Sequence, residues 1–534
     1  ATRRHPKPAI LTTNGFGGSK DDQADLGRAF AKRGYVVLSY SGLGFGGSDC
    51  KITLDDPAYD GKAAKQLVTY LGGGRRASDG SRVTYVRRDR TSHDGRHRRH
   101  DPRVGMVGGS YGGQIQFAVA SVDPRLDTIV PIITWNDLTY SFTPNNTAVT
   151  SGVQSTTPGV TKLAWGLGFP ALGVVNGLQN VQVDPSRLLP CPNFATFVCP
   201  ALVTAGALGY FDDGSAANLK HASVTSYMSK IRIPTLLIQG EGDTLFNLNE
   251  GVANYKALQA QGTEVKMIWQ KWGHSDSTPA PGEIDLSAPN PTTQYETGRI
   301  ADWFDHYLKG SAVGTGPEFA YFRSWIGYTG NAAPAYATSP TFPVGTARPY
   351  YLSGTALTTS PTGLAKGSQM FLTAPAGAPT NFSGLDAISY FSKVPVPELD
   401  LPGTSVGWNT PVLASPVNVA GSPKLTLQVS APTAALSQNL GPAGDLVLFV
   451  RMQDVGPDGK ATDINTLTSP IRVPDATKPF TVTMPAFVHQ FATGHRIRLV
   501  VAASSVNYRG GLGANLVTIT SGSAAQVLRL PVVN

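Results

Sequence analysis

The chain has 534 residues, of which 41% are hydrophobic and 15% charged, and this composition excludes a disordered protein. Because the chain is too long for one ordinary core, we expect two or three domains. The formal net charge is +8, but residues 71–103 contain ten Arg and four Asp, which leaves a surplus of two positive charges for the rest of the chain.

The first 135 residues alternate short apolar segments with segments of helical spacing. Strands that alternate with helices predict a parallel, doubly wound sheet. We predict strands within 7–15, 35–42, 103–110 and 126–135, and helices within 21–34, 58–73 and 112–123.

The sequence Gly108-Gly109-Ser110-Tyr111-Gly112 matches the pattern G-x-S-x-G. In a glycine-rich chain the pattern also fits a flexible turn, so its position decides between the two interpretations. Here Ser110 lies between a predicted buried strand and a predicted helix, which is where an α/β-hydrolase places its nucleophile. We therefore predict that Ser110 is a catalytic nucleophile.

After Trp135 the alternation stops, and residues 136–230 are rich in Gly, Asn, Thr and Pro. This region predicts an inserted, mainly helical cap. It contains Cys191 and Cys199, which are close enough to form a disulfide bond and leave Cys50 unpaired. Three free thiols are the alternative, and a disulfide would favour a secreted protein.

The alternation resumes over residues 231–315, so residues 1–135 and 231–315 are predicted to form one α/β domain. Asp243 follows one predicted strand and His274 follows the next. The order Ser, Asp, His, with each residue at a strand end, is that of an α/β-hydrolase triad. We predict that His274 is the base and Asp243 the acid, with Glu241 as the competing acid.

Residues 316–534 contain short β-rich segments that are separated by Pro, Gly and Ser turns, which predicts a C-terminal β-sandwich.

The oxyanion hole of the α/β domain requires two donors. We assign them to the backbone N–H groups of Tyr111 and Phe16. Phe16 lies in the loop after the first predicted strand, and the alternative interpretation of this loop is a plain glycine turn. Trp135, Phe246 and Trp272 are candidate walls of a cleft between sheet and cap, or else ordinary core residues.

The segment 86–100 carries many Arg and three His. We expect a solvated loop here, with an anionic partner as the alternative. His93, His97 and His100 are closely spaced as metal ligands can be, but the surrounding Arg side chains argue against a metal. No metal and no cofactor are predicted.

These features together resemble the family of X-Pro dipeptidyl-peptidases, cocaine esterase and α-amino-acid ester hydrolases. The resemblance is carried by the triad stretches, the cap, the helix that ends "WFDHYLKG" (303–310), and the stretches 446–464 and 489–505. It implies a hydrolase domain, a helical cap and a C-terminal jelly-roll. It also implies Ser110, Asp243 and His274 as the triad.

Two departures from the family pattern matter: the first favours a backbone donor in the oxyanion hole, and the second bears on the substrate. The loop Asn14–Gly17 lacks the tyrosine that cocaine esterase-like members place in the oxyanion hole, and the residues after Asp243 ("TLFNLNE") lack an acidic cluster for a substrate ammonium. Asp137 is the remaining candidate for ammonium binding, with a cap hinge or helix N-cap as its alternative role.

The sequence therefore predicts a serine hydrolase of carboxylic esters or amides that acts on a small ester or peptide. An X-Pro dipeptidyl-peptidase is the main alternative, and a binding protein with a silent hydrolase domain is a further one. We expect a bacterial protein that is secreted or extracellular, with the cytoplasm as the alternative. Neither a nucleic-acid partner nor a membrane span is predicted, and the first ten residues do not form a signal peptide.

Overall fold

The computed structural model describes residues 1–382 and 398–534. Its N-terminal part alternates strands and helices, as the sequence predicts. The elements are β1 (Ala9–Thr13), α1 (Ala24–Lys32), β2 (Val36–Tyr40), α2 (Lys62–Leu71), β3 (Val104–Gly109), α3 (Tyr111–Val122) and β4 (Thr128–Ile132).

The cap follows β4 and is mainly helical, with one small hairpin. Its helix α4 begins at the N-cap Asp137, whose side chain accepts a hydrogen bond from the Thr139 amide. The elements are α4 (Leu138–Phe142), β5 (Val149–Ser151), β6 (Gln154–Ser155), α5 (Leu163–Gln179), α6 (Val198–Leu208) and α7 (Asp213–His221).

The chain then returns to the first sheet and completes it. The elements are β7 (Thr235–Gly240), α8 (Leu248–Ala260), β8 (Val265–Gln270), α9 (Tyr295–Phe304), β9 (Phe319–Phe322) and β10 (Tyr336–Ser339). The strand order is β10-β9-β8-β7-β4-β3-β1-β2, and only β10 is antiparallel to its neighbour. Strands β1, β4 and β7 are fully buried because helices cover both faces of the sheet.

One boundary differs from the sequence prediction. Strands β9 and β10 extend the α/β sheet, whereas the β-sandwich was predicted to begin at residue 316. Short β-rich segments look alike in either sheet, because β-propensity does not report which partner a strand pairs with. The first strand of the C-terminal domain is β11 (Thr346–Ser353).

The C-terminal domain is mostly β. Its further elements are β12 (Ala356–Thr358), β13 (Gly367–Leu372), β14 (Asn381–Phe382), β15 (Leu399–Asp400), β16 (Ser405–Asn409), β17 (Val417–Gly421), β18 (Lys424–Leu427), α10 (Pro432–Ser437), β19 (Val447–Val455), β20 (Ala461–Arg472), β21 (Phe480–Thr483), β22 (Phe487–Phe491), β23 (Arg496–Ala502), β24 (Leu516–Ser521) and β25 (Val527–Val533). Ten of these strands form one sheet together with β11. The sheet curls until β20 at one end contacts β22 at the other, so it is nearly closed like a barrel. Trp408 and Phe491 lie in its core.

The Arg-rich segment, residues 71–103, folds on the surface of the α/β domain. Val83 and Val86 anchor it in the core, and Val86 pairs with Lys7 next to β1. Its arginines are mostly exposed, and Arg103 forms an ion pair with Asp89. This arrangement is that of an ordered, solvated loop.

Candidate active site

Ser110 lies on the sharp turn between β3 and α3. Its backbone has φ 56° and ψ −120°, which is a strained conformation for a residue with a side chain. The neighbouring glycines are required by close packing. A Cβ atom on Gly108 would lie 2.7 Å from the carbonyl oxygen of Gly112, and one on Gly112 would lie 2.7 Å from that of Thr13. The turn therefore has the geometry of a nucleophile elbow.

The imidazole of His274 contacts both other residues of the predicted triad. Its Nε2 lies 2.8 Å from the Oγ of Ser110, and its Nδ1 lies 2.7 Å from Oδ2 of Asp243. Asp243 follows β7 and His274 follows β8, so the parallel sheet brings three residues that are far apart in the sequence to one edge. Both distances fit a Ser-His-Asp arrangement.

Asp243 is held in place by its own loop. It is fully buried, and its Oδ1 accepts hydrogen bonds from the amides of Leu245 and Phe246. These bonds leave Oδ2 directed at the imidazole, which fixes the orientation of the ring.

Glu241, the competing acid, lies in a different environment. It is buried, and its Oε1 has no hydrogen-bond partner among the described residues. Burial, together with the neighbouring charge of Glu283, raises the pKa of Glu241 well above its ordinary value. The structure thus brings Asp243, and not Glu241, to the histidine.

Phe16 and Tyr111 line a cavity together with Ser110. Tyr111 is the first residue of α3, so its amide has no acceptor within the helix and is available at the helix N-terminus. The rings of the two residues contact each other at 5.8 Å. The loop after β1 therefore lies beside the elbow, where a second oxyanion donor is required.

The cavity has a volume of about 180 Å³ and lies between the sheet and the cap. Trp135 and Phe246 line it, and their rings are 5.1 Å apart. Cap residues supply most of the remaining wall, which is aromatic and aliphatic: Leu138, Phe142, Phe169, Pro170, Phe194, Phe197, Val198, Leu202, Phe211 and Leu219.

Two predicted substrate-binding residues lie elsewhere. Trp272 is not part of the cavity wall, because its side chain packs against the core cluster that contains Ile300 and Phe322. Asp137 also lies outside this wall. Its carboxylate caps α4 and accepts from Gln154, so its alternative role as an N-cap is the one that the structure shows.

Lys162 is a cavity residue that the sequence analysis missed. It is buried, and its Nζ donates to the carbonyl oxygens of Thr244 and Leu245, directly after Asp243. The sequence does carry one indication of this role, because Lys162 is the only charged residue between 138 and 183. A lone cation in an apolar segment indicates a buried partner.

Cys191 and Cys199 form a disulfide bond in the cap, and Cys50 is free and exposed. Over the described ranges, no group of three or more His, Cys, Asp or Glu side chains could hold a metal ion. Nor is any helix in those ranges both long and apolar enough to cross a membrane.

The fold and site define a hydrolase of the α/β-hydrolase class with an all-β C-terminal domain. Two family profiles match the chain: X-Pro dipeptidyl-peptidase (S15 family) over residues 1–165, and X-Pro dipeptidyl-peptidase C-terminal non-catalytic domain over 327–510. The chain belongs to the family of X-Pro dipeptidyl-peptidases, cocaine esterase and α-amino-acid ester hydrolases. Both the ester-hydrolase and the peptidase type fit these matches.

Solved structures with a similar fold cover nearly the whole chain. A CocE/NonD family hydrolase from Staphylococcus aureus has 15% identity and a TM-score of 0.62, covering 99% of this chain and 89% of its own. An aminopeptidase from a marine sediment Thaumarchaeota archaeon has 13% identity and a TM-score of 0.63, with 99% and 92% covered. An α-amino-acid ester hydrolase has 15% identity and a TM-score of 0.62, with the same coverage as the aminopeptidase. No curated protein sequence matches the chain significantly.

Proposed function

We propose that this protein hydrolyses carboxylic esters of hydrophobic acyl groups through an acyl-enzyme on Ser110. The observation that carries the proposal is the hydrogen-bonded series Ser110–His274–Asp243 at the edge of an apolar cavity. A serine hydroxyl becomes an effective nucleophile only when an oriented base can take its proton.

In the first half of the reaction, the Oγ of Ser110 attacks the ester carbonyl carbon while His274 Nε2 takes the hydroxyl proton. The carbonyl oxygen becomes an oxyanion and accepts hydrogen bonds from the amides of Tyr111 and Phe16. As the tetrahedral intermediate collapses, the bond to the alkoxy group breaks, and His274 donates its proton to the departing alcohol. While His274 carries this proton, Asp243 stabilises the imidazolium.

In the second half, water takes the place of the alcohol. His274 accepts a proton from the water as the resulting hydroxide bonds to the acyl carbon. The bond to Ser110 Oγ then breaks, and the serine recovers its proton from His274. The carboxylic acid leaves, and no cofactor takes part in either half.

The cavity wall supports a hydrophobic acyl group. Its described polar side chains are Ser110, Tyr111, Thr161 and Lys162, and the described wall contains no carboxylate. Burying an aliphatic chain there gains about 0.8 kcal/mol per methylene. A substrate ammonium, in contrast, would lose its hydration without gaining a counter-charge from this wall.

An X-Pro dipeptidyl-peptidase is the second candidate, and the family descriptions favour it. Such an exopeptidase requires an anchor for the free N-terminus of the peptide. Asp137, the predicted anchor, caps α4 and lines a separate groove with Thr139 and Gln154, which argues against this candidate.

The two reactions can be compared directly with wild type and Ser110→Ala. The substrates are the p-nitrophenyl esters of acetate, butyrate and octanoate, and Ala-Pro p-nitroanilide. The proposal expects hydrolysis of the esters that requires Ser110, with a lower KM for the longer acyl chains. Anilide cleavage that requires Ser110 would establish the peptidase instead. Activity that Ser110→Ala retains in full would exclude both, and would favour a binding protein with a silent hydrolase domain.

We also propose that the protein works in an oxidising compartment outside the cytoplasm. The disulfide between Cys191 and Cys199 supports this location, because such bonds persist mainly in secreted proteins.

A further inference from the structure

A second cavity, of about 200 Å³, lies behind the nucleophile elbow. Tyr111 lines both this cavity and the substrate cavity, so the two cavities are adjacent. Besides Tyr111, six residues of the wall of the second cavity carry side-chain oxygen atoms: Thr13, Tyr40, Ser41, Ser48, Asp55 and Asp60. The rest of the wall is apolar and contains Leu43, Ala63, Leu67 and Ile115. The proposed mechanism uses none of these side chains.

Two of the lining residues are buried carboxylic acids. Asp55 is 1% exposed and Asp60 is 3% exposed. Asp60 accepts a hydrogen bond from the hydroxyl of Thr53. Asp55 differs, because its Oδ2 is buried without a hydrogen-bond partner among the described residues. A buried, unsatisfied carboxylate oxygen is costly, which indicates that something in the cavity contacts it.

The described wall supplies no positive charge to balance these acids, since it contains no Lys, Arg or His. Without a counter-charge, the protein must hold protons on these side chains or bear the cost of buried anions.

We propose that the second cavity binds a small cation between the carboxylates of Asp55 and Asp60. The available ligands are carboxylate, hydroxyl and phenol oxygens, which suit hard metal ions such as Na⁺, K⁺ or Ca²⁺ and equally a primary ammonium. The wall has no sulfur or imidazole ligand among the described residues, so it does not suit zinc or copper.

A cation at this position would act on the substrate cavity through two adjacent contacts. The amide of Asp55 donates a hydrogen bond of 3.0 Å to the hydroxyl of Tyr111. Leu54, the preceding residue, lines the substrate cavity. Both Leu54 and Asp55 have positive φ, so an interaction that fixes their conformation also fixes this part of the wall.

Thermal unfolding tests the proposal on the full-length protein. The Tm is measured during titration with NaCl, KCl, CaCl₂ or methylammonium chloride. Tetraethylammonium chloride maintains a constant ionic strength, because its four ethyl groups keep its charge away from carboxylate oxygens and it has no N–H to donate. We expect at least one small cation to raise the Tm of wild type saturably, by roughly 2 °C or more. The rise should be absent from Asp55→Asn and kept in Asp49→Asn, which removes an exposed charge from the same region. The cation that produces the rise distinguishes a metal ion from an ammonium.

A crystallographic measurement on wild type covers the case in which Asp55→Asn fails to fold. Crystals are grown with the cation that raises the Tm, with RbCl in place of NaCl or KCl so that a monovalent metal ion gives an anomalous peak. The cation should lie between Asp55 and Asp60. Water alone in the cavity, with no Tm rise from any small cation, would overturn the proposal, as would an equal Tm rise in Asp55→Asn.

Discussion

The ring of Phe246 stands edge-on to the imidazole of His274, with centroids 5.1 Å apart and planes at 88°. Phe246 also lines the substrate cavity and donates its amide to the carboxylate of Asp243. One residue thus contacts the base, orients the acid and shapes the acyl site. The low-polarity surroundings that it provides strengthen the hydrogen bonds of the site by excluding water.

We expect Phe246→Leu to lower kcat by about fivefold, equivalent to roughly 1 kcal/mol, because water gains access to the imidazole. The backbone bond to Asp243 is retained, so the loss should stay moderate. Steady-state kinetics on p-nitrophenyl butyrate measures it. Phe371→Leu, which removes a buried ring from the C-terminal domain, is the matched control and should leave kcat unchanged. Equal losses in both variants would mean that the effect is only on stability.

Asp243→Asn should reduce kcat by about 10⁴-fold with little change in KM, because the amide no longer holds the imidazole in the required tautomer. Glu241→Gln is a demanding control, since it changes the same type of group only two residues away. We expect it to keep most of the activity. A large loss in Glu241→Gln with a small loss in Asp243→Asn would reverse the assignment of the acid.

The same Glu241→Gln variant should change how stability depends on pH. The folded-state pKa of Glu241 is raised above 4.5, so as pH rises past this value the unfolded chain loses a proton that the folded chain retains. The contribution of Glu241 to the free energy of unfolding therefore falls with rising pH. The fall is about 1.4 kcal/mol per pH unit until the folded-state pKa is reached. Glutamine does not titrate. We expect the variant to gain Tm over wild type at about pH 8 and to gain less at about pH 5. A constant difference across this range would contradict the prediction.

Thiol labelling should report the cysteine pairing. Native protein should react with one maleimide at the exposed Cys50, and reduced, unfolded protein with all three cysteines. Reduction should also lower the Tm, because the bond no longer limits the unfolded chain. Three labels on denatured protein that was never reduced would show that the cap holds free thiols.

Much of the α/β domain could be predicted from the sequence because its signals are local. The buried strands, the glycines around Ser110 and the order of Ser110, Asp243 and His274 each depend on a few adjacent residues. The chain topology then brings these residues together, as a parallel sheet requires. The loop after the first strand, which carries Phe16, likewise lies beside the elbow.

The remaining errors concern contacts between distant segments. Trp272 and Phe246 both follow strands that lead to the site, yet only Phe246 lines the cavity. The hydrophobic pattern of a loop does not show which of its side chains contact the cap. For the same reason the pairing of residues 319–339 with the first sheet, and the burial of Lys162 beside the Asp243 loop, could not be predicted from local patterns.

The most direct test of the account is covalent labelling with a fluorophosphonate, followed by mass spectrometry of the intact protein and its peptides. We predict one adduct per chain, on Ser110, formed at the same rate as ester hydrolysis is lost. Ser110→Ala should take up no label, and Asp243→Asn should take it up far more slowly. An adduct on another residue, or complete loss of activity while Ser110 stays unmodified, would contradict the assignment of Ser110 as the nucleophile.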